Sequence, residues 1–282
     1  DIPVAQGFQD PIVRRHSDVM AKMAAARKSR MTPEMVQEQA KITGALGHGV
    51  SGLDGFAFPP DNPKRPEAIR SVELMARVLR ESEEKVTLIP TGPLTNVGLL
   101  IRAFPDLVEK IERISMMGGT SEFVLSRPFM EFNTFVDPEA TKIVFESGIP
   151  ITMYGYDVTY RVLYSEEDIR RVEQLSNRTS GMVASLLRYF MASHNRSLKP
   201  LNLQGVAPIH DACAVAGVID PSLITDSRQM HVDIGIGGEY FDGATICDYT
   251  DSLKLPKNVE VVYNMDVPRF LQLLIDSTAK CL

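Results

Sequence analysis

The sequence predicts an α/β fold with a mostly parallel sheet and helices on both faces, on three observations. Short apolar runs ending in glycine or proline, VTLIP at 86–90, ISMMGG at 114–119 and the run at 150–156, alternate with stretches of helical periodicity. Strand–turn–helix units of this spacing build parallel sheets with right-handed crossovers. No internal repeat or low-complexity linker interrupts the 282 residues, which therefore read as one domain, 1–282.

In chain order, residues 1–7 read as a short extended piece, and 19–41 as a weakly ordered, helix-favouring stretch without a strong apolar stripe. Residues 47–60, GHGVSGLDGFAFPP, are a glycine- and proline-rich loop with special backbone angles, and His48 sits inside it. Ile69, Val72, Leu74, Met75, Val78 and Leu79 repeat at helical spacing and predict a helix over 66–80. A strand at 86–90 then runs through Thr91-Gly92-Pro93 into a helix from near Leu94. The strand at 111–117 is followed by a helix over 138–147, which Asp137 caps and Pro138 opens. The strand at 150–156 precedes a helix whose start is marked by the capping box Ser165-Glu166-Glu167-Asp168. A further helix is expected over 180–196 and a loop over 195–208. Beyond these come the apolar helix ACAVAGVI after His210-Asp211, a hairpin within 228–249, a strand at 259–263 and a closing helix over 268–279.

Net charge of −6 excludes a general nucleic-acid surface, and the basic cluster Arg27, Lys28 and Arg30 is a solvated face. Cys213, Cys247 and Cys281 show no metal spacing and no disulfide framework, which fits a reducing cytosol. No apolar run reaches membrane-spanning length, so no membrane partner is expected.

The chemistry is expected at 114–139, where a strand ends at Gly118-Gly119, a carboxylate and an amide follow at Glu131 and Asn133, and a helix starts at Asp137. Read alone, Asp211 is a helix cap, His210 a partly buried histidine, Thr91 a turn residue, and Glu131 and Asn133 surface residues. All of them follow predicted strands or open predicted helices, so one sheet edge gathers them into a crevice of the kind that binds ligands in open α/β sheets. Hard oxygen donors with one titratable histidine suit a calcium-like cation and a polyhydroxylated substrate.

HGVSGLDG at 48–55, VTLIPTGPLTN at 86–96, ISMMGG at 114–119, MEFNTFVDPEATKIVFESGIPITM at 130–153, YDVT at 156–159 and PIHDACAVA at 208–216 resemble, in order and spacing, the inosine-uridine-preferring nucleoside hydrolases. The resemblance implies an open Rossmann-like nucleoside hydrolase fold and a calcium-dependent hydrolase that cleaves ribonucleosides to ribose and free base. By it, the Thr91 carbonyl and the Asp211 carboxylate are Ca2+ ligands, Glu131 and Asn133 hold ribose hydroxyls, and Met117 lines the ribose pocket. His210 protonates the leaving base and His48 assists in the base pocket, while base contacts are expected at 190–204, with His194, Asn195 and Arg196 as candidates. A homodimer or homotetramer is implied as well.

Two departures stand against the family pattern. Its aspartate-rich loop, D-x-D-x-G-x-D-D, has no counterpart here, so the residues are expected to belong to a longer protein or to a defective fold, and no general base is named. Leu125 stands where the family places a sugar-binding asparagine. Either the substrate differs at its 5′ end, or Ser121, Ser126 or Glu122 substitutes, or activity is weak. Both departures motivate an alternative, a catalytically impaired homologue that binds a nucleoside or a protein partner. A different metal-dependent hydrolase ranks last, because no phosphate loop or two-metal pattern is present.

Overall fold

The computed structural model describes residues 2–15, 17–22, 48–49, 51–59, 64–122, 130–197, 205–238 and 241–281, with the main chain only at 195–197. Leu125, Ser126, the Arg27, Lys28 and Arg30 cluster and most of 19–41 lie outside them, as do the side chains of Asn195 and Arg196. Contacts divide the chain into two compact units, Asp1–Val19 with Pro63–Arg161 and His210–Met265, and Met20–Asn62 with Val162–Ile209 and Asp266–Leu282.

The first unit is built on a sheet of β1 (Val86–Leu88), β2 (Ile111–Met117), β3 (Ile151–Tyr154), β9 (Val259–Met265) and β6 (Ile224–Met230), in that spatial order. Pairing is parallel from β1 through β2 and β3 to β9, and antiparallel between β9 and the edge strand β6. The strand period of two assigns the faces. Ile114 and Met116 of β2, Ile151 and Met153 of β3 and Val259, Val261 and Tyr263 of β9 belong to one apolar cluster. Helices α1 (Ser71–Glu81), α2 (Thr95–Ala103) and α4 (Pro138–Phe145) contribute Val72, Ala76, Leu79, Val97, Leu100, Ala140 and Val144 to it. On the opposite face lie Ser115 and Tyr154, against helix α8 (Asp211–Ile219): Ser115 Oγ donates to the Ala214 carbonyl at 2.8 Å. A Cβ at Gly217 would fall on the Tyr154 hydroxyl, so only glycine lets α8 approach this closely. Helices therefore cover both faces, as the alternating pattern predicts.

Four local expectations change, one of them the end of the loop expected over 195–208, where Val206–Pro208 forms a strand. Residues 66–70 are irregular and not helical, because Glu67 N–H donates to the Val4 carbonyl at 2.7 Å and Ser71 N–H to the Gln6 carbonyl at 3.0 Å, so α1 starts only at Ser71. The first extended piece of the expected hairpin divides: its Met230 closes β6, and Val232–Ile234 (β7) pairs antiparallel with Thr245–Cys247 (β8). The N-cap of α8 is His210, with Asp211 as the first helical residue, so the reading of Asp211 as the cap does not hold.

The second unit holds the antiparallel pair β4 (Leu163–Ser165) and β5 (Val206–Pro208) with helices α6 (Glu166–Glu173), α7 (Arg178–Ser197) and α9 (Val267–Lys280). The Ser165–Asp168 capping box opens α6 as predicted. No helix among the described residues is long and apolar enough to cross a membrane.

Candidate active site

The carboxyl ends of β1 and β2 lie side by side, since Met117 N–H donates to the Pro90 carbonyl at 3.0 Å. Thr91 follows immediately and is exposed. Past Met117, Gly119 adopts φ +74°, and a Cβ there would meet Met153 Sδ at 2.7 Å and Thr245 Cγ2 at 2.9 Å. That turn points the Gly119 N–H at Glu131 Oε2, 3.1 Å away.

Glu131 is the N-cap of the short helix α3 (Phe132–Val136). Its Oε2 also accepts from Asn133 N–H at 2.8 Å and Thr134 N–H at 3.2 Å. Three backbone donors thus hold one carboxylate oxygen of a side chain only 3% exposed. Burial disfavours the charge more than the donors favour it, and the Asp211 carboxylate adds to the effect, so Glu131 is raised from 4.5 to about 7. Asn133, also buried, donates through Nδ2 to the Met117 carbonyl at 3.0 Å. This bond ties the amide to the end of β2 and leaves Oδ1 for another partner.

On the far side of Glu131 stands an aromatic group that sequence reasoning missed. The Tyr156 hydroxyl hydrogen-bonds the main chain of Phe132, and burial raises Tyr156 and Tyr160 above the ordinary phenol range, with the Glu131 charge adding to both. The His210 ring lies 5.8 Å from the Tyr156 ring and 5.2 Å from the Tyr160 ring, while the two tyrosines are 5.2 Å apart. His210 Nδ1 is 2.8 Å from Thr159 Oγ1. The signal was present in YDVTY, two tyrosines at i and i+4 just after a strand, but spacing alone does not say that a histidine some fifty residues on packs against both.

Met117, Glu131, Asn133, His210 and Asp211 are linked through these contacts, and Thr91 borders them through Pro90; all belong to the first unit. His48 and His194 belong to the second unit, where Phe190 lies between their rings, 5.0 Å from His48 and 5.6 Å from His194. His48 is exposed, whereas His194 is buried and its pKa is lowered by that burial. Of the suggested substitutes for an asparagine at Leu125, Ser121 donates its hydroxyl to Tyr263 at 3.2 Å. The Ser121 and Glu122 N–H groups both donate to the buried Asp157 carboxylate at 2.7 Å.

Among the described residues no group of three or more His, Cys, Asp or Glu side chains is placed to hold a metal ion. The exposed Asp211 carboxylate and the Thr91 carbonyl are hard donors of the kind calcium takes, but calcium takes about six to eight. The described residues fit such an ion in kind and fall short of it in number.

The family described as inosine-uridine preferring nucleoside hydrolase matches residues 1–272. A pyrimidine-specific ribonucleoside hydrolase RihA of Shewanella sp. (strain ANA-3) is 44% identical over 232 residues, covering 82% of this chain and 71% of that protein. Its counterpart in Klebsiella pneumoniae (strain 342) is 42% identical over 232 residues, 82% of this chain and 73% of that protein. Among solved structures, a purine-preferring ribonucleoside hydrolase from Gardnerella vaginalis superposes with TM-score 0.80 at 25% identity, over 99% of this chain and 80% of that one.

Proposed function

Because this chain belongs to the inosine-uridine preferring nucleoside hydrolase family, and so is a hydrolase of the N-glycosidic bond of ribonucleosides, we propose that pyrimidine ribonucleosides are its preferred substrates and that Glu131, Asn133 and His210 act on them. The pyrimidine preference is supported by relatives at 42–44% identity that are pyrimidine-specific, against a purine-preferring structural neighbour at only 25%. The alternative of a non-catalytic binding protein is not favoured by these relationships.

One observation carries the site assignment. Glu131 receives all three backbone donors on Oε2, and Asn133 is anchored through Nδ2, so each side chain keeps one oxygen for a ribose hydroxyl. Met117 supports the same pocket by accepting the Asn133 bond. His210, beside two aromatic rings, is the proton donor to the departing base, because a nucleobase anion leaves poorly unless protonated and imidazole titrates near working pH.

Calcium is the proposed cofactor, with Asp211 and the Thr91 carbonyl supplying part of its oxygen shell. The chemistry a bound cation would supply is polarisation of a water molecule. A cytosolic setting and assembly as a homodimer or homotetramer complete the proposal; Cys213, Cys247 and Cys281, which form no disulfide among the described residues, fit the former.

The test is base release from uridine, cytidine, inosine and adenosine, with calcium and with a chelator. Uridine and cytidine should exceed the purines in kcat/KM, and chelation should remove the activity. Purine preference would overturn the specificity; activity indifferent to chelation would overturn the metal.

A further inference from the structure

We propose that Thr159 is a positioning residue for His210: its hydroxyl fixes Nδ1, so that Nε2 is the nitrogen that gives up and regains the proton. This rests on the reading of His210 as the proton donor to the base.

Thr159 ends the single-turn helix α5 (Tyr156–Thr159) and is fully buried, so its hydroxyl needs a partner inside the protein. The structure places His210 Nδ1 2.8 Å from it. Tyr160, the next residue, meets the same imidazole edge-on at 65°, and Tyr156 lies beside both. The ring is therefore held at Nδ1 by the threonine and packed against the two tyrosines of the same segment. α5 is itself fixed to the site, because Tyr156 N–H donates to the Gly119 carbonyl at 3.1 Å.

An imidazole that donates a proton must present one chosen nitrogen, and the hydrogen bond at the other nitrogen decides which. With Nδ1–H donating to Thr159 Oγ1, the Nε2 proton passes to a base nitrogen as the C1′–N bond breaks, its electron pair going to the base, while a water oxygen bonds to C1′ and loses its proton to solvent. The ring is left neutral with Nδ1–H still bonded to threonine, and Nε2 is reprotonated from water.

The experiment compares Thr159→Val, Thr159→Ser, His210→Ala and the Thr159→Val/His210→Ala double variant in the full chain. Uridine serves as the substrate with a poor leaving group and p-nitrophenyl riboside as the one whose leaving group needs no proton. Thr159→Val should lower kcat on uridine roughly 10- to 100-fold, a part of the 10²–10⁴ that a general acid contributes. Its activity on the nitrophenyl riboside should stay within about 3-fold of wild type, which also reports an intact fold, and Thr159→Ser should recover most of the uridine activity. The double variant should be no slower than His210→Ala, because threonine acts only through the histidine. Equal losses on both substrates for Thr159→Val, no loss at all, or additive losses in the double variant overturn the proposal while leaving His210 in place. Equal losses on both substrates for His210→Ala overturn the proton-donor reading itself, and this inference with it.

Discussion

Glu131 offers a test of how burial and hydrogen bonding compete at this site. Its carboxylate receives three backbone N–H groups, which favour the charged form, yet it is 3% exposed and is raised from 4.5 to about 7. The sign follows from linkage: a carboxyl group that binds its proton more tightly when folded stabilises the fold below the unfolded value of 4.5, and that contribution is lost as pH rises through about 7. At about 1.4 kcal/mol per pH unit the full difference is roughly 3 kcal/mol, most of it between pH 5 and 8. Glu131→Gln keeps an oxygen to accept the three N–H groups but has no charge to bury. Urea unfolding of both proteins at pH 5 and pH 8, in a chelator so that no cation favours the carboxylate, should show the glutamine variant gaining roughly 2–3 kcal/mol relative to wild type over that interval. A difference between the two proteins that does not change with pH would refute the claim that burial outweighs the three donors.

Other perturbations read other parts of the structure. Gly217→Ala drives a methyl group into the Tyr154 hydroxyl between α8 and β3 and should destabilise by about 1–3 kcal/mol in thermal or urea unfolding, with partial relief by Tyr154→Phe. Asp137, fully buried, accepts from Thr95 Oγ1 at 2.6 Å, Ile12 N–H at 2.9 Å and Ala140 N–H at 3.0 Å, so Asp137→Ala should cost roughly 2–4 kcal/mol by the same measurement. Asn133→Leu should reduce kcat/KM for uridine about 10-fold or more, because an unpaired Met117 carbonyl and an unmet ribose hydroxyl are left, while secondary structure by circular dichroism stays unchanged. Asp211→Asn should raise the calcium concentration needed for half-maximal activity at least about 10-fold, read by titrating metal into chelated protein.

The sheet was legible because a buried parallel strand writes itself as an apolar run, closed by glycine or proline at 86–90, 111–117 and 150–156 and by the polar Asn264 after 259–263. Edge strand β6, ITDSRQM, was not, since its exposed and half-buried residues carry little apolar signal and only pairing with β9 makes it a strand. The start of α1 was misplaced for a similar reason: Glu67 and Ser71 take partners from Val4 and Gln6, more than sixty residues away, and no local pattern encodes that. At the site, residue types and their order along the chain pointed to Glu131, Asn133, His210 and Asp211. The burial of Glu131 and the Thr159–His210 bond are products of tertiary packing, which periodicity cannot express.

Two carboxylates near one another at the same sheet edge have been given opposite environments. Glu131 is enclosed, held by backbone donors and shifted toward its neutral form, so it serves as a hydrogen-bonding group. Asp211 is exposed at the first position of α8, where the helix terminus favours negative charge, which is why it is the carboxylate proposed for the cation. Asp211 helps set the state of Glu131, because its charge is one of the causes that raises Glu131. A cation drawn to Asp211 would offset that charge and ease ionisation of Glu131, which strengthens it as an acceptor for a ribose hydroxyl. Under the proposed assignment metal and sugar binding are coupled, and by reciprocity each ligand should tighten the other. Calorimetric titration of calcium with and without ribose measures that coupling directly, and equal affinities in the two titrations would separate the carboxylates into independent sites.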